Sequence, residues 1–168
     1  MNKKYLSALV CGFGAAVLTT TPGFESVGCC LLAPIASALS IFLYKKSQSD
    51  HLRIKTGSGI LLGLLTAVFA ALFASGLEII ITFITRTSDL VVSMPQAEKV
   101  VKDMNLGPAA EESLEVLRQM VREIQAKGFS FLYVFIITIT NLITYSIFGM
   151  LGGIIGTAVI NKRNQQST

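Results

Sequence analysis

The sequence predicts an all-α, polytopic membrane protein with four transmembrane helices and an extracytoplasmic helical hairpin between helices 3 and 4. Three observations carry this. Four long apolar stretches punctuate the chain, at residues 5–20, 28–44, 58–85 and 129–160. Hydrophobic residues make up 52% of the chain and charged residues 14%, against about a quarter charged in soluble domains. Finally, Lys and Arg gather at the ends of the stretches instead of forming a patch with interleaved aromatics.

Each stretch is read from the length that a bilayer demands. A helix needs roughly 20 apolar residues to cross a hydrocarbon core of about 30 Å, with about 17 as the lower limit, and its backbone must satisfy itself there. The first two stretches are just long enough and the last two are longer than needed. Their excess either stands above the membrane as a stalk or is absorbed by tilt. The 168 residues leave room for one membrane domain, residues 1–168, with one insert outside it, residues 87–128.

Basic residues set the orientation. Lys3 and Lys4 precede the first span, Lys45, Lys46, Arg53 and Lys55 fill the second connection, and Lys162 and Arg163 follow the last span. The first connection, residues 21–27, carries Glu25 and no basic residue. The positive-inside rule then places both termini and the second connection in the cytoplasm, and the insert outside. The net charge of +4 is a topology signal, so no nucleic-acid partner is expected. No A-x-A cleavage site follows Thr20, and Ser26 stands where a lipoprotein site at Cys29 needs a large aliphatic residue, so the first span is expected to be retained.

Small residues recur at helical spacing. The third span has Gly59, Gly63, Ala67, Ala71 and Ser75, each four apart, while Leu62 falls on another face. The fourth span has two overlapping GxxxG pairs, Gly149 with Gly153 and Gly152 with Gly156, and the first span has Ala8, Gly12 and Ala16. In lipid, helices associate through close van der Waals approach, which small side chains permit, so these are helix-packing faces. Aligning Ser7 with Ser58 also matches Gly12 with Gly63, Ala16 with Ala67 and Val17 with Val68. A duplicated hairpin and a chance match both account for that echo. Pro34 is expected to kink the second span or interrupt its hydrogen bonding.

In the insert, Ser93 and Gln96 form a capping box with Pro95 in the first turn, predicting a short helix to about Asn105. Gly107 and Pro108 then open a second helix. Its Ala110, Leu114, Leu117, Val121 and Ile124 form one apolar seam, matched by Ala97, Val101 and Met104 on the first. Glu111, Glu112 and Glu115 lie early in the second helix and Arg118, Arg122 and Lys127 late, in accord with the helix dipole.

Chemistry-bearing residues are few. Glu78 is the one acid inside an apolar span, a functional suspect because intramembrane charge is costly. Counting from the span ends puts Asn141 at a similar depth and Tyr145 one turn further in, so Glu78, Asn141 and Tyr145 are the candidate intramembrane polar cluster. A proton- or cation-linked role and a structural hydrogen bond both suit it. Cys11, Cys29 and Cys30 have no His or Cys partner at metal-ligand spacing and read as small packing residues. His51 sits in a basic loop, and Gly57, Gly59 and Gly63 lack the strand that a dinucleotide loop requires. No catalytic, metal-binding or cofactor-binding set is predicted.

A Gly-rich first span, a return helix ending at Tyr44, Lys45 and Lys46, a Gly-rich third span, a charged helical insert and a Gly-rich last span follow one another. In this layout the chain resembles the small uncharacterised four-helix membrane proteins of bacteria, of the domain-of-unknown-function type. The resemblance implies a bacterial cytoplasmic membrane, no established activity and no functional residue. The expected partners are the lipid bilayer and either a second copy of the chain or another membrane protein. The expected role is non-enzymatic, in structure or interaction; the alternative is a small transporter or channel component that uses Glu78.

Overall fold

The computed structural model describes residues 3–21, 25–47 and 54–165. These residues form six helices: α1 Lys3–Thr19, α2 Glu25–Ser47, α3 Thr56–Thr85, α4 Asp89–Asp103, α5 Pro108–Lys127 and α6 Phe131–Gln165. His51, Arg53 and the turn at residues 22–24 lie outside the described residues, as do the side chains of Lys3, Cys29 and Arg163.

Segments Cys30–Ser47, Thr56–Thr85 and Phe131–Lys162 are long and apolar enough to cross a bilayer. Helix α1 is shorter, with 17 residues, or about 25 Å at 1.5 Å per residue. The chain is thus a multi-pass membrane protein by length and composition. Helices α2 and α6 overrun their apolar stretches at the C-terminal ends, through Lys45–Ser47 and Asn161–Gln165. Hydropathy marks the part suited to lipid, whereas a helix runs until something breaks it.

The described chain divides into two compact units, residues 1–77 with 138–168, and residues 78–137. The first contains α1, α2, most of α3 and most of α6. Its main core cluster holds eight buried alanines, at 15, 16, 33, 36, 67, 70, 71 and 74, around Tyr145. Such a core lets helix backbones approach far closer than Leu or Phe would allow.

The glycines show how close. A Cβ on Gly63 would strike the Gly149 carbonyl and come within 2.9 Å of the Gly153 Cα; one on Gly153 would lie 2.6 Å from the Gly59 carbonyl. Gly149 and Gly153 therefore face α3, whereas Gly152 meets the Pro34 backbone and Gly156 the Ala38 Cα, both in α2. The two overlapping pairs on α6 serve two different neighbours. Gly12 of α1 meets the Thr66 carbonyl on α3, and the Ser37 hydroxyl of α2 donates to the Gly63 carbonyl at 3.3 Å. Helix α3 thus contacts α1, α2 and α6. Helix α2 continues through Pro34, where Gly152 leaves room for its backbone. Leu62 is 5% exposed and belongs to a second cluster with Ala8, Ile41 and Tyr44; its neighbour Leu61, 65% exposed, is on the outer face.

The second unit joins the end of α3, α4, α5 and the start of α6. Helix α4 begins earlier than the Ser93 box implies. Ser88 is its N-cap and accepts from the Val91 N–H, while the Ser93 hydroxyl donates to the Leu90 carbonyl, and Pro95 lies inside the helix. The earlier start brings in Leu90 and Val91, which pack on a core of Met120, Ile124 and Tyr133. Met94 is buried at 6%, whereas Met104, at the C-cap, is 64% exposed. The inner face of α4 is therefore displaced toward its N-terminus from the Ala97, Val101 and Met104 seam. On α5, Leu114 and Ile124 are buried as the seam requires, and Met120 joins them. Gly128 closes α5 with φ 74°, and a Cβ there would lie 2.7 Å from the Phe83 carbonyl; both features require glycine.

Candidate functional site

Several polar groups inside the apolar helices have partners in neighbouring helices. In the first unit the Asn141 amide donates to the Ser75 hydroxyl at 3.1 Å. The Tyr145 hydroxyl donates to Thr19 Oγ1 at 2.7 Å, in a buried position. Ser75, read as the last member of a packing stripe, is thereby also an acceptor. Asn161 clasps the Ile54 peptide from both sides, donating to its carbonyl at 3.0 Å and accepting from its N–H at 3.2 Å. That pair ties the start of α3 to the end of α6.

In the second unit the half-buried Glu78 carboxylate accepts from the Tyr133 hydroxyl at 3.0 Å. The Thr82 and Ser88 hydroxyls lie beside the same phenol, and both residues are buried, at 3% and 9% exposure. Glu78 thus belongs to one unit and Asn141 and Tyr145 to the other, each with a partner of its own. A carboxylate among hydroxyls is able to hold a proton or a small cation. Among the described residues no group of three or more His, Cys, Asp and Glu converges as a metal site.

Tyr133 was not among the residues singled out from sequence, although a signal for it exists. Gly63 abuts Gly149, and in antiparallel helices each step forward along α3 is a step back along α6. Carrying that register from Gly63 to Glu78 leads to Val134, the neighbour of Tyr133.

The hairpin carries the charge. Arg118 pairs with Glu98 across α4 and α5 at 2.7 Å and with Glu115 at 3.2 Å, and Arg122 pairs with Glu115 at 2.6 Å. The hydrogen bond from Arg118 holds the Glu98 carboxyl below its ordinary value, and those from Arg118 and Arg122 do the same to Glu115. The Ser130 hydroxyl and the Gln119 amide beside it, the amide donating at 3.3 Å, hold the Glu123 carboxyl below its ordinary value. An open groove of about 330 Å³ runs along α4, lined by Ser93, Gln96, Ala97, Val100 and Val101.

Two other groups stand apart from this network. The Ser40 hydroxyl and the Lys45 ammonium in α2 are shut off from solvent and have no hydrogen-bond partner among the described residues. Cys11 packs against the alanine core and Cys30 is exposed; both are free thiols.

No family model, no curated protein and no solved structure matches the chain. The functional reading therefore rests on geometry alone.

Proposed function

We propose that this is a non-enzymatic multi-pass protein of the bacterial cytoplasmic membrane, acting as a structural or interaction component that self-associates or joins a membrane complex. One observation supports this most. The small-residue faces of α3 and α6 are occupied by neighbours in the same chain, while large apolar side chains of the hairpin are open: Val92 at 70%, Met104 at 64% and Leu106 at 51% exposure. Open apolar surface of this extent is characteristic of proteins that assemble. The test is the mass of the detergent-solubilised chain by light scattering, alongside Val92→Glu and Met104→Glu. A wild-type assembly that the two variants reduce to monomers supports the reading; a strictly monomeric wild type that also recovers no partner from its native membrane contradicts it.

A second reading is favoured by one specific contact, the bond from Tyr133 to Glu78, the one acid inside the apolar stretches. The protein would then be a small transporter or channel component that loads a proton or cation at Glu78. Flux into liposomes that Glu78→Gln abolishes is the result that separates this reading from the first.

A further inference from the structure

Tyr133 joins the one acid of the apolar stretches to the hairpin. Its hydroxyl donates to the Glu78 carboxylate at 3.0 Å. The residue is buried in a core with Met120 and Ile124 of α5, against which Leu90 and Val91 of α4 pack. Two more buried hydroxyls lie beside the phenol, those of Thr82 and Ser88. Thr82 stands one turn after Glu78 on α3. Ser88 is the N-cap of α4 and accepts from the Val91 N–H. One side chain thus meets the carboxylate, the cap of α4 and the core of α5, all within the second unit.

The contact suits a proton better than a metal ion. The Tyr133 hydroxyl turns its hydrogen toward the carboxylate, so a metal ion at that oxygen would have to displace the donor, whereas a proton needs a single lone pair. Hard divalent cations take about six or more oxygen ligands, and among the described residues no three acids converge. Protonation also changes what the bond is worth, because a hydrogen bond to an ionised group is roughly twice as strong as a neutral one. Charge among apolar helices is costly, and the Tyr133 donor offsets that cost only while Glu78 is ionised.

The other charged groups around this core are few. Arg86, just past α3, donates to the Ala126 carbonyl, and Asp89 opens α4. Glu123 and Lys127 lie near the end of α5, Glu123 beside Ser130 and Gln119. Residues 131–137 of α6 carry no charge. Among the charged groups of the described residues, Glu78 is the one that acts on the Tyr133 phenol.

We propose that Glu78 binds and releases a proton, and that its ionised form holds the α4 cap and the hairpin core in place through Tyr133, whereas its protonated form loosens them. The inference rests on the choice of Glu78 as a loading site in the second reading above, but it requires no flux.

The test uses the full chain in detergent, with Asp89→Asn throughout so that the first turn of α4 brings no acid of its own. Amide exchange is followed against pH at Val91 and Val92, whose N–H groups bond to Ser88, together with infrared difference spectra of the protonated carboxyl. At pH 8 Glu78→Gln should exchange at these amides roughly fivefold faster than its parent. In acid, below the titration seen in the infrared, the two should coincide, and the carboxyl band should diminish in Glu78→Gln. Tyr133→Phe, which keeps the ring and removes the donor, should exchange at least as fast as Glu78→Gln at pH 8 and shift the band. A carboxyl band that Glu78→Gln does not diminish, equal exchange in parent and variant at pH 8, or a rate that changes when sodium replaces potassium at constant pH would each overturn the proposal, the last because the ligand would be a metal cation. A titrating Glu78 without effect on Val91 and Val92 overturns the coupling and leaves the transporter reading standing; coupling without flux in liposomes rejects that reading alone. Should Glu78→Gln not fold, Tyr133→Phe decides by the same two readouts.

Discussion

Single residues in the bundle act mainly through the space they leave. Ala67 is 1% exposed and its Cβ abuts the position where Gly149 has no side chain. Ala67→Leu adds bulk to that contact without loss of hydrophobicity or much helix propensity, and overpacking of this kind costs about 1 to 3 kcal/mol. The variant should insert normally and unfold at lower temperature in detergent. Leu61→Ala on the outer face is the proper control and should change little; Leu62, once placed on a different face from the stripe, is itself core. An equal response from the two variants would show that the stripe is compositional only. The serines of α2 make a second comparison. Ser37 donates to the Gly63 carbonyl, whereas the fully buried Ser40 has no partner among the described residues. Ser37→Ala should destabilise by about 0.6 kcal/mol, the average for such bonds in membranes, and Ser40→Ala should be neutral or stabilising by up to about 1 kcal/mol. The same thermal measurement reads both, and the reverse order would refute the assignment.

Helix ends were legible where one physical cause acts alone. Gly107 with Pro108 and the terminal Gly128 bound α5 as their backbone chemistry requires. The start of α4 was misread because Pro95 is a natural first-turn residue, and Ser93 and Gln96 flank it in capping-box spacing. The observed helix accepts a proline in its interior, a local cost opposed by Leu90 and Val91 packing on Tyr133 and Ile124. Periodicity within the insert could not reveal that, because Tyr133 belongs to the following span. The charge network of the hairpin predicts a response to acid. Glu98 and Glu115 titrate below their ordinary value of 4.5 because arginines bind their charged forms. Their contribution to stability is therefore complete above that value and is lost as pH falls through the lower folded-state values. Amide exchange in α4 and α5 should be faster at pH 3 than at pH 7, after correction for intrinsic rates. Arg118→Met should speed exchange at pH 7 and flatten its dependence on pH. A hairpin equally protected at both pH values would mean that its apolar core suffices.

Across the whole molecule, composition and the four apolar stretches announced the multi-pass helical class and the position of the hairpin between the last two long helices. The pairing of glycines was half legible: spacing identified the faces, but which pair meets which neighbour emerged only in three dimensions, with Gly152 against Pro34 and Gly149 against Ala67. Of the polar residues, Glu78 stood out by its charge, whereas its partner Tyr133 looked like one more aromatic in an apolar run. Orientation belongs to this scale too. With both termini inside, a Ser113→Cys variant of a cysteine-free background should react with an impermeant maleimide on intact cells, and Ser47→Cys should react only after lysis. The opposite pattern would invert the topology and place the basic connection outside.

The contact between Gly63 and Gly149 also sets an order of events during synthesis. About 86 residues separate the two positions, so α3 leaves the ribosome well before the surface it fits. At roughly 5 to 20 residues per second its bare glycine edge waits on the order of ten seconds. During that interval the nascent chain holds a backbone groove that any small-residue helix in the membrane is able to enter, and α4 and α5 must both be made before α6 arrives to close it. Arrested chains ending at residue 130 should therefore cross-link from a photoreactive side chain in place of Leu64, the half-buried neighbour of Gly63, to insertion machinery or foreign helices, and chains extended past α6 should lose those adducts.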